Sequence, residues 1–194
     1  MFFNRHIKQG EEAGKVCISL LQRCFSSKTI AFEERIQGSS FVPRGFFDDV
    51  YILGFFTSYI GYLMDWAYGG SSWSETRRHE FLCAAMNELD TTESLLNSLL
   101  LIPSPEGQKI LQSEAYVKGV NDGVAVIGAA YGKLIPNEDD PLDMEAMSLA
   151  KKLQKELRSL HVAGDDADAN SGALSSAYML LTIMKHIQDN WIDE

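Results

Sequence analysis

The sequence predicts an all-α protein, a compact bundle of six to eight helices in which residues 1–194 form a single domain. Apolar residues recur three and four positions apart along most of the chain, which is the spacing of one helix face. Proline and glycine separate these stretches, where helices end or begin. No stretch alternates apolar and polar residues between turn signals, as a half-buried strand would.

The first half of the chain is predicted to hold helices over 11–25, 28–37, 46–68 and 73–89, and a further helical stretch over 92–101 that is either a separate helix or a continuation after a kink at 90–93. Gly69 and Gly70 end the third of these, which is apolar on nearly all sides. Such a helix has to be buried on every side, either within the chain or at a dimer interface. Ser72 and Glu75 match a capping box and are predicted to start the next helix.

The second half is predicted to hold three helices, over 105–133, 141–162 and 171–191. Asp140 precedes a proline and is the predicted N-cap of the middle one. The segment 164–170 is predicted to be an acidic loop before the last helix.

Two of the predicted helices carry the same pattern of an aromatic residue followed by two small residues. The second copy lies 65 residues after the first, the positions being Tyr51, Gly54 and Ser58, then Tyr116, Gly119 and Gly123. A well-marked helix start follows each copy, near 73 and near 141. A duplicated helical hairpin would give this order, with 46–101 and 105–162 as pseudo-repeat halves.

The charge and the apolar pattern exclude several classes of partner. The net charge is −10 and no run of lysine and arginine occurs, so the chain lacks the basic surface that nucleic acids require. The longest uncharged stretch, between Asp49 and Asp65, has 15 residues, fewer than the ~20 needed to span a bilayer. We therefore expect no nucleic acid and no membrane partner. Three sparse cysteines and an N-terminus unlike a secretory signal predict a cytoplasmic protein.

The stretch GVNDGVAVIGAAYGK at 119–133 raises the question of a phosphate-binding loop. Only three residues separate Gly128 from the Gly-Lys pair instead of four, and Leu134 stands where a P-loop needs serine or threonine. We predict helix packing instead, because glycine lets a second backbone approach closely. The predicted packing or interface positions are Gly54, Ser58, Gly61, Gly119, Gly123, Gly128 and Gly132.

Aromatic residues cluster around the end of the 46–68 helix, namely Tyr59, Tyr62, Trp66, Tyr68 and Trp73. The favoured interpretation is that they pack together at one edge of the hydrophobic core. The alternatives are the lining of an apolar pocket or a protein interface, where tyrosine and tryptophan are favoured.

Glu75, His79 and Cys83 recur four residues apart on one helix face, and all three side chains are zinc ligands. A single ion could reach only two of them, since the outer pair is roughly 12 Å apart along the axis. The sequence therefore favours surface residues with a core-facing cysteine, and no metal or cofactor is predicted. His186 and Asp189 are predicted to pair along the last helix, and no catalytic residue is assigned.

The segment Tyr116-Val-Lys-Gly-Val-Asn-Asp-Gly123 resembles, over eight residues, the Y-x-x-G-x-x-D-G helices of some small bacterial immunity proteins. Those proteins are usually exported and disulfide-bonded, whereas this sequence shows neither feature. No function is carried over from the resemblance.

The function that the sequence favours is protein–protein interaction, as an adaptor, a regulator or a neutralising partner. A twofold homodimer is predicted from the all-round apolar 46–68 helix. One alternative is a small-molecule-binding bundle with an apolar pocket between the glycine-bearing helices. A second alternative is a metal-dependent enzyme that uses Glu75 and His79.

Overall fold

The computed structural model describes residues 5–25, 45–89, 105–159 and 166–192, and all regular structure in these segments is helical. The predicted all-α class is therefore confirmed. Seven helices occur in the described segments: α1 (Arg5–Phe25), α2 (Val50–Tyr68), α3 (Glu75–Glu88), α4 (Pro105–Leu111), α5 (Glu114–Ala130), α6 (Pro141–Ser159), and α7, which comprises Asp166–Met179, a π-helical turn at Leu180–Met184 and Lys185–Trp191. Short 3-10 turns at Phe46–Asp48 and Gly70–Ser72 flank α2.

Helices α2 and α5 meet at the centre of the fold in direct backbone contact. A β-carbon added at Gly54 would overlap the carbonyl oxygen of Tyr116, and one added at Gly119 would overlap that of Tyr51. Gly54 contacts Tyr116 near the starts of α2 and α5, and the Trp66 ring contacts Tyr131 near their ends, so both helices run in the same direction. Dispersion contact between the two main chains offsets the ~1 kcal/mol that each glycine costs a helix relative to alanine.

The two copies of the aromatic and small-residue pattern are thus partners across one contact. The first small residue of each copy, Gly54 or Gly119, lies against the tyrosine carbonyl of the other copy, as a pseudo-twofold relation between α2 and α5 requires. Residues 90–101 of the first proposed half and 160–162 of the second lie outside the described segments. The duplication itself stays a prediction.

Helices α1 and α3 form a second close pair, which the sequence did not predict. A β-carbon at Gly10 would overlap the carbonyl oxygen of Phe81, and one at Gly14 would lie 2.6 Å from that of Ala85. These glycines are four residues apart, as in the α2–α5 contact. The start of α1 at Arg5, earlier than the predicted residue 11, brings Gly10 into this contact.

A single cluster of buried apolar side chains draws on α1, α2, α3, α5, α6 and α7. Helix α2 is buried along most of its length, from Tyr51 to Met64. Packing inside the chain therefore covers the helix whose apolar character suggested a dimer. Among the helices of the described segments, none has both the length and the apolar character of a membrane span.

The predicted helix over 105–133 is in fact two helices joined by a turn. Helix α4 ends at Leu111, and the Ser113 hydroxyl then caps α5 by accepting the N–H of Tyr116 at 3.2 Å. A serine that satisfies a free helix amide starts a new helix even where the surrounding apolar pattern continues.

Helix α5 ends at Ala130, before the predicted residue 133. Gly132 takes a left-handed conformation with φ 60°. The N–H groups of Lys133 and Leu134 donate hydrogen bonds to the carbonyl of Gly128 at 2.7 and 3.1 Å. Gly132 therefore ends the helix, because glycine adopts this backbone conformation without steric cost.

Two further boundaries can be compared with the predicted caps. Asp140 caps α6 as predicted, since its Oδ1 accepts the N–H of Leu142 at 2.8 Å. The predicted capping box at Ser72 is wrong, because α3 begins at Glu75 with Ser74 in the cap position. The Ser72 hydroxyl donates instead to the carbonyl of Gly69 at 3.0 Å and closes the preceding 3-10 turn.

The remaining differences concern segments near the described boundaries. Helix α7 already begins at Asp166, so part of the predicted acidic loop 164–170 is helical. The predicted helices over 28–37 and 92–101 lie outside the described segments.

Candidate interaction site

The predicted packing glycines separate into two groups. Gly54, Gly119 and Gly123 lie in the α2–α5 contact, where the Ser58 hydroxyl fills the space beside Gly123 and donates to the carbonyl of Phe55 at 3.0 Å. The alternative prediction placed an apolar pocket between these two helices, and the backbone contact now fills that space. The other three predicted glycines lie elsewhere: Gly61 has nothing within 4 Å of its β-carbon position, Gly128 faces Leu134, and Gly132 ends α5.

The predicted aromatic cluster is divided among three environments. Tyr59 is buried and stacks on Phe55 with ring centroids 5.9 Å apart. Tyr62 and Trp66 pack together toward solvent, and Trp66 contacts the ring of Tyr131 at 6.4 Å. This surface group joins the end of α2 to the residue after α5.

Tyr68 and Trp73 take the third environment, at the connection between α2 and α3. Both rings pack against the buried ring of Phe81, with centroids 5.6 and 5.7 Å away. They line a cleft of about 730 Å³ that also borders the first turns of α1 and α3.

The proposed zinc ligands lie on the outer part of α3. Glu75 and His79 are exposed, and Cys83 is half-buried. The Cys83 sulfur lies 3.4 Å from Nε2 of His79. Burial raises the pKa of the Cys83 thiol, which disfavours the thiolate that zinc binds. Within the described segments, no group of three or more histidine, cysteine, aspartate or glutamate side chains is placed to hold a metal ion.

A hydrogen-bonded cluster of three polar side chains joins α2 to α5 beside the glycine contact. The Tyr51 hydroxyl donates to Oδ2 of Asp122 at 2.7 Å, and the Lys118 ammonium donates to the same oxygen at 2.7 Å. Tyr51 and Asp122 are 3% and 4% exposed. Burial and the neighbouring charge of Asp122 raise the pKa of Tyr51, so the hydroxyl keeps its proton. The two donors offset the cost of burying a carboxylate.

Asp49 continues this network from the start of α2 to α7. Its Oδ1 caps α2 by accepting the N–H of Tyr51 at 2.8 Å. Its Oδ2 accepts from Nε2 of His186 at 2.9 Å and from Nε1 of Trp191 at 3.1 Å. The His186 ring stacks on the Tyr51 ring with centroids 4.0 Å apart. His186 was predicted to pair with Asp189 but pairs with Asp49, which is distant in sequence and is brought near only by the tertiary fold.

The network connects α2, α5 and α7, and its polar atoms form hydrogen bonds with one another. Mutual satisfaction of buried donors and acceptors is typical of a network that fixes helix positions. Two features of the sequence point to it, an aspartate at 122 inside an apolar helix and a tyrosine at 51 in the repeated pattern.

The Asp49 contacts predict how stability depends on pH. Burial alone would raise the pKa of Asp49, but the hydrogen bond and charge of His186, the Ile52 amide and Trp191 together lower it below 3.8. A lowered folded pKa contributes stability that is present above 3.8 and is lost as the pH falls through the folded value. We expect the free energy of unfolding, measured by urea denaturation, to fall below pH 4. In Asp49→Asn this fall should be smaller. If the free energy of unfolding depended on pH in the same way in both proteins, the stabilising role of the Asp49 carboxylate would be contradicted.

The connection between α5 and α6 is held in one shape by its own hydrogen bonds. The N–H of Asn137 donates to Oδ2 of Asp143 at 2.6 Å, and the N–H of Asp139 donates to Oδ1 of Asn137 at 3.1 Å. The N–H of Asp140 donates to the carbonyl of Asn137 at 3.0 Å. From α7, the Tyr178 hydroxyl donates to the other oxygen of Asp143 at 2.6 Å. The loop is thereby fixed to the helical core.

Residues 133–145 comprise this connection and the first five residues of α6, and together they are called the Ile135 loop below. Ile135 is 91% exposed and Met144 is 56% exposed. Between 133 and 145 there are five acidic residues and one basic residue, Lys133. The exposed acidic side chains are Glu138, Asp139, Asp140 and Glu145. The sequence predicted only the helix cap at Asp140 in this segment and no binding role.

Comparison of the chain with protein-family models, with curated proteins and with solved structures finds no match.

Proposed function

We propose that this chain acts through protein–protein interaction and that the Ile135 loop binds a basic partner protein. The observation that carries the proposal is the 91% exposure of Ile135 on a loop whose backbone is fixed by hydrogen bonds. Met144 gives the same loop a second exposed apolar side chain. An adaptor, a regulator or a neutralising partner would each use such a surface.

The loop is suited to binding because it is already ordered. Burial of an isoleucine side chain contributes about 1.5–3 kcal/mol relative to leaving it in water. An ordered loop loses little conformational entropy on binding, so more of that free energy remains as affinity. The Asp143 carboxylate, which accepts the Asn137 N–H and the Tyr178 hydroxyl, provides this order before any partner arrives.

The charge of the loop indicates which proteins it would accept. The segment that carries the exposed apolar side chains also carries exposed carboxylates at Glu138, Asp139, Asp140 and Glu145. They attract a basic surface and repel an acidic one, which favours one class of partner and speeds its association. The partner should therefore present an apolar pocket bordered by lysine or arginine.

The aromatic group of Tyr62, Trp66 and Tyr131 extends this surface at the beginning of the loop. Tyr62 is 38% and Tyr131 is 42% exposed, and the ring of each contacts the ring of Trp66. Tyrosine and tryptophan are enriched in protein interfaces because their rings bury a large area while a polar atom stays hydrated.

The predicted homodimer lacks its original support. Helix α2 buries most of its apolar side chains within the chain, so its apolar character does not require a second copy. Two copies of the Ile135 loop would also bring like charges together, which opposes self-association at this surface. A homodimer through another surface stays a prediction.

Site-specific photo-crosslinking tests the proposal. A photoreactive phenylalanine analogue is placed at position 135 in cells that naturally make the chain, and a matched probe is placed at Val117, which is 45% exposed on α5. We expect position 135 to capture one protein whose contact surface is basic, and position 117 not to capture it.

Either of two results would count against the proposal. Capture of the same protein from both positions would mean that the Ile135 loop is not the contact. Capture of a second copy of this chain from position 135 would replace the basic partner by a homodimer.

A further inference from the structure

The cleft beside Tyr68 and Trp73 has no part in the proposed interaction. It lies between the first turns of α1 and α3, and its lining includes Arg5, His6, Tyr68, Trp73, Arg77 and Glu80. Its volume of about 730 Å³ is within the range of roughly 300–1,000 Å³ that small-molecule sites occupy.

One wall of the cleft is aromatic and fixed in position. Trp73 and Tyr68 both contact Phe81, which is fully buried. The ring of His6 lies edge-on to Trp73, with centroids 6.2 Å apart. These contacts hold the rings in defined orientations, and aromatic surfaces of this kind pack favourably against planar groups.

The cleft also holds two cationic side chains without a partner. The Glu80 carboxylate is bonded by His6, and the neighbouring Arg78 is engaged by Asp65 and by the carbonyl of Gly70. Within the described segments, Arg5 and Arg77 make neither an ion pair nor a hydrogen bond. Both residues are exposed, so their guanidinium groups are accessible to a ligand in the cleft.

We propose that this cleft binds a small anion that carries a planar ring. Arg5 and Arg77 contact its carboxylate or phosphate, since the planar guanidinium matches the oxygen pairs of both anions. Trp73 and Tyr68 contact the ring. Recognition of the anion by guanidinium groups and of the ring by aromatic side chains makes the ligand a ring-bearing carboxylate or a nucleotide rather than an inorganic ion.

Nuclear magnetic resonance of the tryptophan indole N–H groups tests this site. The chain has three tryptophans, and the Trp73 signal is assigned with Trp73→Phe. The full-length protein is titrated with 2-naphthoate, with adenosine monophosphate and with the uncharged 2-naphthamide. We expect a saturable shift of the Trp73 signal with at least one of the two anions, and a weaker response to the amide.

Variants then separate the two cations from general charge effects. Arg77→Gln and Arg5→Gln should each weaken binding at least about tenfold, because each removes a charge-assisted hydrogen bond. Lys151→Gln, at an exposed position of α6, is the matched control and should leave the affinity unchanged.

Binding of naphthoate alone supports the proposal with a carboxylate, and binding of adenosine monophosphate alone supports it with a phosphate. The proposal is overturned if neither anion gives a saturable shift, if the amide binds equally well, or if Arg77→Gln and Arg5→Gln both keep the original affinity.

Discussion

Replacement of Gly119 by alanine is expected to lower the free energy of unfolding by about 3 kcal/mol. The added β-carbon would overlap the carbonyl oxygen of Tyr51 and lie 2.9 Å from the amide nitrogen of Phe55. Both atoms belong to the main chain of α2, which cannot rotate away as a side chain could. The two central helices would have to separate, and this cost exceeds the ~1 kcal/mol that alanine gains over glycine in a helix.

Gly61→Ala is the matched control, because Gly61 also lies inside α2 but has no atom within 4 Å of its β-carbon position. Only the gain in helix propensity remains there, so this variant should be more stable by up to about 1 kcal/mol. Urea denaturation followed by circular dichroism measures both changes. Equal stability of Gly119→Ala and the unmodified protein would contradict the close contact of α2 with α5.

Tyr51→Phe is expected to lower the free energy of unfolding by about 2 kcal/mol. The change keeps the ring that stacks on His186 and removes only the hydroxyl that donates to Asp122. Asp122 is 4% exposed, so water cannot readily replace the lost donor and Lys118 alone would compensate its charge. A buried carboxylate that loses a hydrogen bond carries the cost of its desolvation.

Tyr62→Phe provides the comparison on the same helix. Tyr62 is 38% exposed and its ring packs on Trp66. Because Tyr62 lies at the surface, the loss of its hydroxyl should change the free energy of unfolding by no more than about 0.5 kcal/mol. If Tyr51→Phe and Tyr62→Phe had the same small effect, the buried network would not be the tie between helices that its geometry indicates.

The features that the sequence predicted depend on neighbours along the chain. Helical periodicity identifies the class, because each turn of a helix repeats the same apolar face. Asp140 is recognisable as a cap because it serves amides two and three residues later. Glycines four residues apart at 119 and 123 indicated a close helix contact for the same reason, since one face of one helix carries them.

The features that were missed depend on residues distant in the chain. Asp49 meets His186 and Trp191 only after α7 has folded back onto α2. Gly10 and Gly14 become a packing face only when α3 lies against them. The spacing of Glu75, His79 and Cys83 indicated a possible metal face, but a spacing along one helix does not show which other side chains converge on it.

Ile135 illustrates a different difficulty. An isoleucine in a short polar connection reads as a residue that folds back onto the core, since large aliphatic side chains are usually buried. Its exposure follows from the loop geometry, in which Asn137 and Asp143 fix the backbone and leave the side chain in solvent. The bond between Asn137 and Asp143 is local in sequence, and only the Tyr178 hydroxyl of α7 adds a bond from a distant part of the chain.

The measurement that tests the proposed function most directly is a calorimetric titration of the purified chain with the protein captured from position 135. Ile135→Asp should weaken this binding at least about tenfold, since it removes the burial of one aliphatic side chain. Val117→Asp, at an exposed position of α5, should leave the affinity unchanged. Equal affinity of Ile135→Asp and the unmodified chain, with both folded by circular dichroism, would contradict the assignment of the Ile135 loop as the binding surface.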